Sequence, residues 1–209
     1  MLPELQTHTL LRVTGPEALR EAGPAWVAGS LLNAPWVVVR RASAVPNGLI
    51  PIGVRGDSRA QRFGSWISRE AVLESVTPKM LVWRRAWSNT VRSGQIPALA
   101  ALDAVAVIMG EHDLGTHWGP GGSVGFELAS GSATATRDSD LDLIVQTDMA
   151  LPGEQARSLA AALASLAVRA DVLLETPRGA IALSEYVRMD GQTGTFVLRT
   201  TRGPRLIRL

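Results

Sequence analysis

Two aspartates, Asp140 and Asp142, flank a single leucine at the start of an apolar run. Because successive strand residues point to opposite faces, this spacing places both carboxylates on one face of a strand. Like charges about 6 to 7 Å apart at their Cα atoms are unfavourable unless a cation lies between them. Carboxylate oxygens suit Mg²⁺, which commonly shares its coordination with substrate phosphates. The pair therefore predicts a Mg²⁺ site for displacement at phosphorus, and the alternative is a pair of solvated edge-strand aspartates.

A glycine-rich segment upstream of these aspartates ends in Gly122 and Ser123. We expect a helix to begin there and to run through residues 126–128. The N–H groups at a helix start and a serine hydroxyl are suitable donors to phosphate oxygens, and glycines permit the close approach. The segment therefore predicts a phosphate site at Gly122 and Ser123, and the alternative is an ordinary flexible turn.

The elements that must position these residues fall into two parts, residues 1–80 and 81–209. In the first part, β-rich runs at 36–41 and 49–55 on either side of a turn at 46–48 predict a hairpin, and residues 59–67 are expected to form a loop leading into a short helix. In the second part we expect helices at 81–87, 98–109 and between 153 and 169, and strands from 140, from 171 and after 194. This order predicts an α/β (α+β) protein, with a small N-terminal domain and a C-terminal domain built on a small mixed sheet.

Composition limits the classes of function. The 209 residues are 46% hydrophobic and 19% charged, which is enough for a folded core, and they include no cysteine for disulfides or thiolate metal sites. The formal net charge is only +2, so we expect no nucleic-acid partner. The first ten residues lack the pattern of a signal peptide, and no apolar window is long enough to cross a membrane. We therefore expect a cytoplasmic protein without membrane association.

The order of these motifs resembles the DNA polymerase β-like nucleotidyltransferase superfamily, which has a Gly-Ser pair at a helix start and then two aspartates alternating with apolar residues. Two departures stand out. Ser139 occupies a position that is apolar in the superfamily, and the segment between Ser123 and Asp140 is slightly longer than usual. The resemblance implies that Asp140 and Asp142 bind two Mg²⁺ ions.

Several separate segments resemble a narrower family, the malonate decarboxylase holo-acyl-carrier-protein synthases, also called phosphoribosyl-dephospho-CoA transferases. The segments are residues 35–41, 52–56, 59–63, 118–131 and 138–143. The resemblance implies transfer of the phosphoribosyl-dephospho-CoA group from 2'-(5''-triphosphoribosyl)-3'-dephospho-CoA to a serine of the malonate decarboxylase acyl carrier protein, with release of pyrophosphate. It also implies that Gly122 and Ser123 hold the donor triphosphate.

A third carboxylate often completes the site in this superfamily, and Asp171 is the candidate in this sequence. It begins the strand that follows the predicted crossover helix, which places it beside the aspartate pair. Asp171 is alternatively a turn residue between helix and strand. Asp138 is a minor alternative, and Glu175 replaces Asp171 if the strand register differs.

Three arginines, Arg55, Arg59 and Arg62, follow the predicted hairpin and match a segment of the family. The match implies contacts with phosphates or with the CoA portion of the donor, for which the planar guanidinium is suited. The alternative is that they lie at an interface between the two domains.

Two other functions remain open. The first is a different nucleotidyltransferase, which adenylylates a protein or a small hydroxyl compound or modifies the citrate lyase carrier protein. The second is a non-catalytic nucleic-acid-binding module that uses the arginine pairs at 40–41 and 84–85. The sequence does not indicate the oligomeric state.

Overall fold

The computed structural model describes residues 5–43, 48–58, 60–147, 151–189 and 195–208. The chain divides into two compact units. The first unit runs to Thr77 and includes Ala129–Ser132, and the second comprises Pro78–Leu128 and the chain from Ala133 onward. Each unit has its own sheet and helices, so the predicted α+β class is confirmed.

An antiparallel sheet of five strands forms the first unit. The strands are β1 (Leu10–Val13), β2 (Trp36–Val39), β3 (Leu49–Arg55), β4 (Arg62–Ser68) and β5 (Val72–Val76), in the order β4-β3-β2-β1-β5. Helix α1 (Ala25–Asn33) contributes Val27 and Leu31 to the core formed with one face of this sheet. β2 and β3 pair antiparallel, as the sequence predicts. Of the turn predicted at 46–48, only Gly48 belongs to the described residues.

Strand β4 corrects the expectation of a loop and a short helix at residues 59–67. It pairs with β3 along its whole length, from Arg55 opposite Arg62 to Leu49 opposite Ser68. Ser65 and Ile67 are both 0% exposed, while Trp66 between them faces the other side of the sheet. Pairing with a neighbouring strand therefore decides the conformation of this weakly patterned segment.

A mixed sheet of six strands forms the second unit. In chain order its elements are α2 (Pro78–Trp83), α3 (Pro97–Ala100), α4 (Leu102–Glu111), β6 (Trp118–Pro120), α5 (Gly122–Ser130), β7 (Leu141–Gln146), α6 (Gly153–Ala164), β8 (Ala170–Thr176), β9 (Gly179–Ala182), α7 (Leu183–Met189), β10 (Thr195–Thr200) and β11 (Gly203–Arg208). The strand order is β11-β10-β9-β8-β7-β6. β7 and β8 are parallel and joined through α6, and the other neighbours are antiparallel.

The core of the second unit lies on one face of this sheet. On β7, Leu141, Leu143 and Val145 are fully buried, and they pack in one cluster with Leu159 and Leu163 of α6. Strand alternation then assigns the intervening residues, including Asp142, to the opposite face. One side of β7 thus supplies this core, and the other side carries Asp142 together with the buried Ile144.

Two predicted helices differ in their limits. The helix expected at 81–87 begins at Pro78 and ends at Trp83, because Arg85 adopts a left-handed conformation with φ 44°. The helix expected at 98–109 is divided into α3 and α4. The predicted α6 and β8 are present, and so are two strands after residue 194, β10 and β11.

Candidate active site

Asp140 and Asp142 lie where β7 begins. Asp142 is the second residue of the strand and is exposed, whereas Leu141 and Leu143 on either side are fully buried. Asp140 directly precedes the strand and is half-buried. The chain thus presents two carboxylates next to each other without placing either in the core.

The start of helix α5 lies directly against Asp142. The backbone N–H of Gly121 donates to the carbonyl oxygen of Asp142 at 2.8 Å. Gly122, the first residue of α5, has φ +54°, and a Cβ at this position would overlap the Asp142 Oδ2 atom. Glycine is therefore required here both by its backbone conformation and by the carboxylate beside it. A negative charge at a helix N-terminus is also favourable.

The first turn of α5 offers donors to a substrate. The N–H groups of the first residues of a helix have no acceptor within the helix. The first turn of α5 is closed by the N–H of Gly125, which donates to the carbonyl oxygen of Gly121 at 2.7 Å. The strand and helix are packed so tightly that a Cβ on Gly125 would overlap the Pro120 carbonyl oxygen. The helix start and Asp142 thus bring backbone N–H donors and a carboxylate close together.

Ser139, one of the departures from the superfamily pattern, has a structural role. It is 8% exposed, and its Oγ accepts a hydrogen bond from the N–H of Thr136 at 2.9 Å. The Ser123 hydroxyl donates to the same Oγ atom at 3.3 Å. Since that distance is longer than is usual for hydroxyl hydrogen bonds, little interaction energy holds the Ser123 hydroxyl away from a substrate. A serine at this position therefore connects the segment before β7 to the start of α5.

A buried ion pair that no sequence motif indicates fixes the same segment. Glu127 of α5 is 5% exposed, and its Oε2 accepts from Arg92 Nη1 at 2.6 Å and from the N–H groups of Thr134 and Ala135 at 2.9 and 2.8 Å. Arg92 Nη2 also donates to the Ala135 carbonyl at 2.9 Å. One carboxylate thus ties α5 to the segment that leads into Asp140. Sequence reasoning missed this pair because Arg92 and Glu127 are far apart in the chain.

Asp171 is the register partner of Asp142 on the parallel neighbour β8. Residues in register on adjacent strands share a face, and their Cα atoms are about 4.8 Å apart. Asp171 Oδ1 accepts from Arg169 Nε and Nη2 at 3.2 and 3.1 Å, an ion pair at the surface. Asp171 therefore lies on the predicted face, with its carboxylate oriented by a neighbouring arginine.

These carboxylates fit Mg²⁺ that shares its coordination with a substrate. Among the described residues, no group of three or more His, Cys, Asp or Glu side chains is arranged to hold a metal ion. A protein cage of that kind is not what Mg²⁺ requires, since it is commonly bound by one or two carboxylates, waters and substrate phosphates. Asp142 beside the donors of α5, with Asp140 two residues before it in the chain, matches this pattern.

The arginines predicted to bind substrate belong to the first unit. Arg55 and Arg62 are directly opposite each other on β3 and β4. Arg62 Nη1 donates to the carbonyl oxygens of Ser58 and Gln61 at 3.1 and 3.0 Å, so it also holds the turn between the strands. Arg59 lies outside the described residues.

One arginine of each pair considered for nucleic-acid binding makes contacts within the protein. Arg40 Nε donates to the Ile52 carbonyl at 3.1 Å, and its guanidinium lies 5.3 Å from the centre of the Trp66 ring. Arg85 pairs with Asp103 at 2.6 Å.

No helix in the described part of the chain has the length and apolar character needed to cross a membrane.

Comparison with known proteins identifies one family over most of the chain. The N-terminal domain of phosphoribosyl-dephospho-CoA transferase MdcG matches residues 6–78, and its C-terminal domain matches residues 86–209. A phosphoribosyl-dephospho-CoA transferase of Pseudomonas syringae pv. tomato is 40% identical over 96% of this chain and 90% of its own length. Proteins of the same name from Klebsiella pneumoniae (strain 342) and Azotobacter vinelandii are 37% and 35% identical, over 95% and 97% of this chain and 92% of each relative. No solved structure matches significantly.

The Glu127 ion pair yields a prediction for stability. Glu127→Gln keeps the shape of the side chain but leaves the half-buried Arg92 without its counter-charge, so we expect the free energy of unfolding to fall by about 3 kcal/mol. The matched control in the same unit is Asp103→Asn, since the Arg85–Asp103 pair has exposed side chains, 66% and 64%, and should contribute less than about 1 kcal/mol. Chemical denaturation measures both. Equal losses would show that the buried pair has no special role.

Proposed function

The chain belongs to the phosphoribosyl-dephospho-CoA transferase family, and from this membership we propose that it transfers the phosphoribosyl-dephospho-CoA group of 2'-(5''-triphosphoribosyl)-3'-dephospho-CoA to a serine of the malonate decarboxylase acyl carrier protein. The observation that carries the proposal is the contact between the Asp142 carboxylate and the start of α5. It brings a metal-binding group and phosphate-binding N–H groups together, as a triphosphate donor requires.

The second unit supplies the groups that bind and orient the donor. Asp140 and Asp142 would hold Mg²⁺, which when bound neutralises negative charge on the phosphates. The N–H groups of Gly122 and Ser123, with the Ser123 hydroxyl, orient the triphosphate for displacement in line. Fixed donors of this kind stabilise charge that develops in the transition state, because they need no reorganisation during the reaction.

The transfer itself exchanges one bond at phosphorus for another. The serine oxygen of the carrier protein bonds to the α-phosphorus of the donor, and the bond from that phosphorus to the bridging oxygen of the pyrophosphate group breaks. Pyrophosphate leaves, and the serine proton passes to Asp171. We assign Asp171 this role because it is on the same face as Asp142, and general bases must lie within hydrogen-bond reach of the proton they accept.

The first unit contributes to donor binding in this proposal. Arg55, Arg59 and Arg62 contact donor phosphates or the CoA portion, to which their charge is complementary. Transfer of an adenylyl group from ATP, or transfer to the citrate lyase carrier protein, is the alternative for the same aspartates. The donors and acceptors in the first experiment distinguish these reactions.

The first prediction from the proposed reaction concerns the aspartate pair. The purified enzyme, the triphosphate donor and Mg²⁺ should increase the mass of the malonate decarboxylase carrier protein by one prosthetic group, whereas ATP as donor or the citrate lyase carrier as acceptor should give little product. Asp140→Asn and Asp142→Asn should each reduce the rate by about 10²-fold or more, since each removes an essential charge. Asp138→Asn changes an exposed residue in the preceding turn and should retain activity, which would also exclude Asp138 as the third carboxylate.

Two results would contradict these assignments. Unmodified carrier protein with wild-type enzyme would refute the proposed reaction. More than about a tenth of the wild-type rate in both Asp140→Asn and Asp142→Asn, with circular dichroism showing folded protein, would refute the metal assignment.

The second prediction tests the contact between Asp142 and α5. Gly122→Ala should lower the rate by about 10²-fold, because the new Cβ displaces the Asp142 carboxylate. Gly115→Ala is the control, since Gly115 has a similar φ of +48° but no atom lies within 4 Å of the place that its Cβ would occupy. Both variants should lose roughly 1 kcal/mol of stability from the positive φ. Similar steady-state rates in the two variants would show that the placement of the Asp142 carboxylate against α5 does not affect the rate.

The third prediction concerns Asp171. Asp171→Asn should lower kcat with little change in the donor KM, because a base acts in the chemical step and not in ground-state binding. Glu175→Gln, further along the same face of β8, should leave both constants near wild type. A fall in kcat for Glu175→Gln alone would transfer the role to Glu175.

A further inference from the structure

The hairpin formed by β10 and β11 is strongly basic. Residues 195–208 contain four arginines and no acidic residue, whereas the whole chain has a net charge of only +2. The arginines are Arg199, Arg202, Arg205 and Arg208, and all except Arg199 are exposed. Among the described residues, no ion pair joins any of their guanidinium groups to a carboxylate. This concentration of positive charge has no role in the reaction described above.

The hairpin is held firmly at its base. Phe196 packs against the core of the second unit, and Glu185 Oε2 accepts from the Val197 N–H at 3.1 Å. Arg199 pairs through its backbone with Ala180 of β9. The positive charges are therefore displayed at a defined place on the sheet.

Strand register relates one face of the hairpin to the catalytic carboxylates. Asp171 and Glu175 share a face of β8, Glu175 is opposite Ala180, and Ala180 is opposite Arg199. Since partners across antiparallel strands point to the same side, Arg199 lies on the face that carries Asp171.

The same alternation assigns each residue of β11 to one of the two faces of the sheet. Val197 is opposite Leu206, and Thr195 is opposite Arg208, so Leu206 and Arg208 share the face of Arg199. Leu206 is 75% exposed. Arg205, which directly precedes Leu206 and is opposite Leu198, points to the other face. We call Arg199, Leu206 and Arg208 the basic hairpin face.

We propose that the basic hairpin face docks an acidic surface of the carrier protein while its serine is at Asp142 and Asp171. The inference rests on the proposed function for the identity of the carrier protein. Positive charge around an exposed leucine complements an acidic surface with an apolar spot, and such complementarity steers and orients an encounter. Four strand spacings separate β7 from β11, about 19 Å, which a domain of roughly 80 residues spans, given its radius of gyration of about 12 Å.

The spacing of the arginines on this face favours a broad partner over a single phosphate group. Arg199 is opposite Pro204, and Arg208 lies four residues further along β11, about 13 Å, so one phosphate group cannot contact both. Charged residues on edge strands also prevent pairing with other chains, and β11 is an edge strand. Edge protection alone does not account for an exposed leucine on this face.

The test compares two residues of the basic hairpin face with one on the opposite face. Leu206→Ser combined with Arg208→Glu should raise the KM for the apo-carrier protein about tenfold, with the donor KM and the kcat at saturating carrier unchanged. Arg205→Glu, on the same strand but the other face, is the matched control and should change the carrier KM less than about twofold. Added NaCl should raise the carrier KM of wild type more than that of the double variant, because salt screens surface charges.

Binding of the apo-carrier protein is also measured without donor, by titration calorimetry. If wild type binds the carrier protein and the double variant binds it more weakly, the docking surface is supported even when no transfer occurs. In that case only the proposed reaction fails. The inference would be overturned if the double variant bound the carrier protein as well as wild type does. It would also be overturned if Arg205→Glu weakened carrier binding as much as the double variant, or if only the donor KM changed. The absence of carrier binding to wild type would overturn it as well. Circular dichroism verifies that the variants fold.

Discussion

The close approach of Asp142 to the start of α5 is the constraint on which the candidate site depends. β6 consists of only three residues, and α5 begins two residues after it, so the chain must turn sharply between the strand and the helix. Gly122 makes that turn possible because it has neither a Cβ nor a preference against positive φ. The same glycine leaves room for a carboxylate at the helix start. The backbone conformation and the neighbouring carboxylate thus both require glycine at position 122.

The surrounding polar contacts maintain that geometry at an energetic cost. Burying the Glu127 carboxylate is unfavourable unless its charge and lone pairs are compensated. Arg92 and two backbone N–H groups provide the compensation, and in doing so they fix the path of the chain towards Asp140. An apolar side chain at position 127 would avoid the desolvation cost but would not hold the segment. The network is therefore best understood as positioning the chain, with stability as a secondary result.

The sequence predicts those features that depend on local patterns. The paired β2 and β3, the start of α5 and the place of Asp171 beside Asp142 follow from alternation, glycine chemistry and the length of the crossover. The strand β4 was missed because its inward positions include Ser65, which weakens the alternation. The roles of Glu127 and Ser139 were not predictable, since each depends on partners brought together only by the fold.

Strand alternation also separates the chemistry of the second unit from its core. Leu141 and Leu143 are buried in the core on one face, whereas Asp142 on the other face is exposed. That second face is not uniform in charge, because it carries Asp142 and Asp171 on central strands and Arg199 and Arg208 towards the edge. Cations are attracted to one region and anions to the other. A partner with an acidic surface therefore meets a charge gradient that sets its orientation before any reacting atoms come into contact.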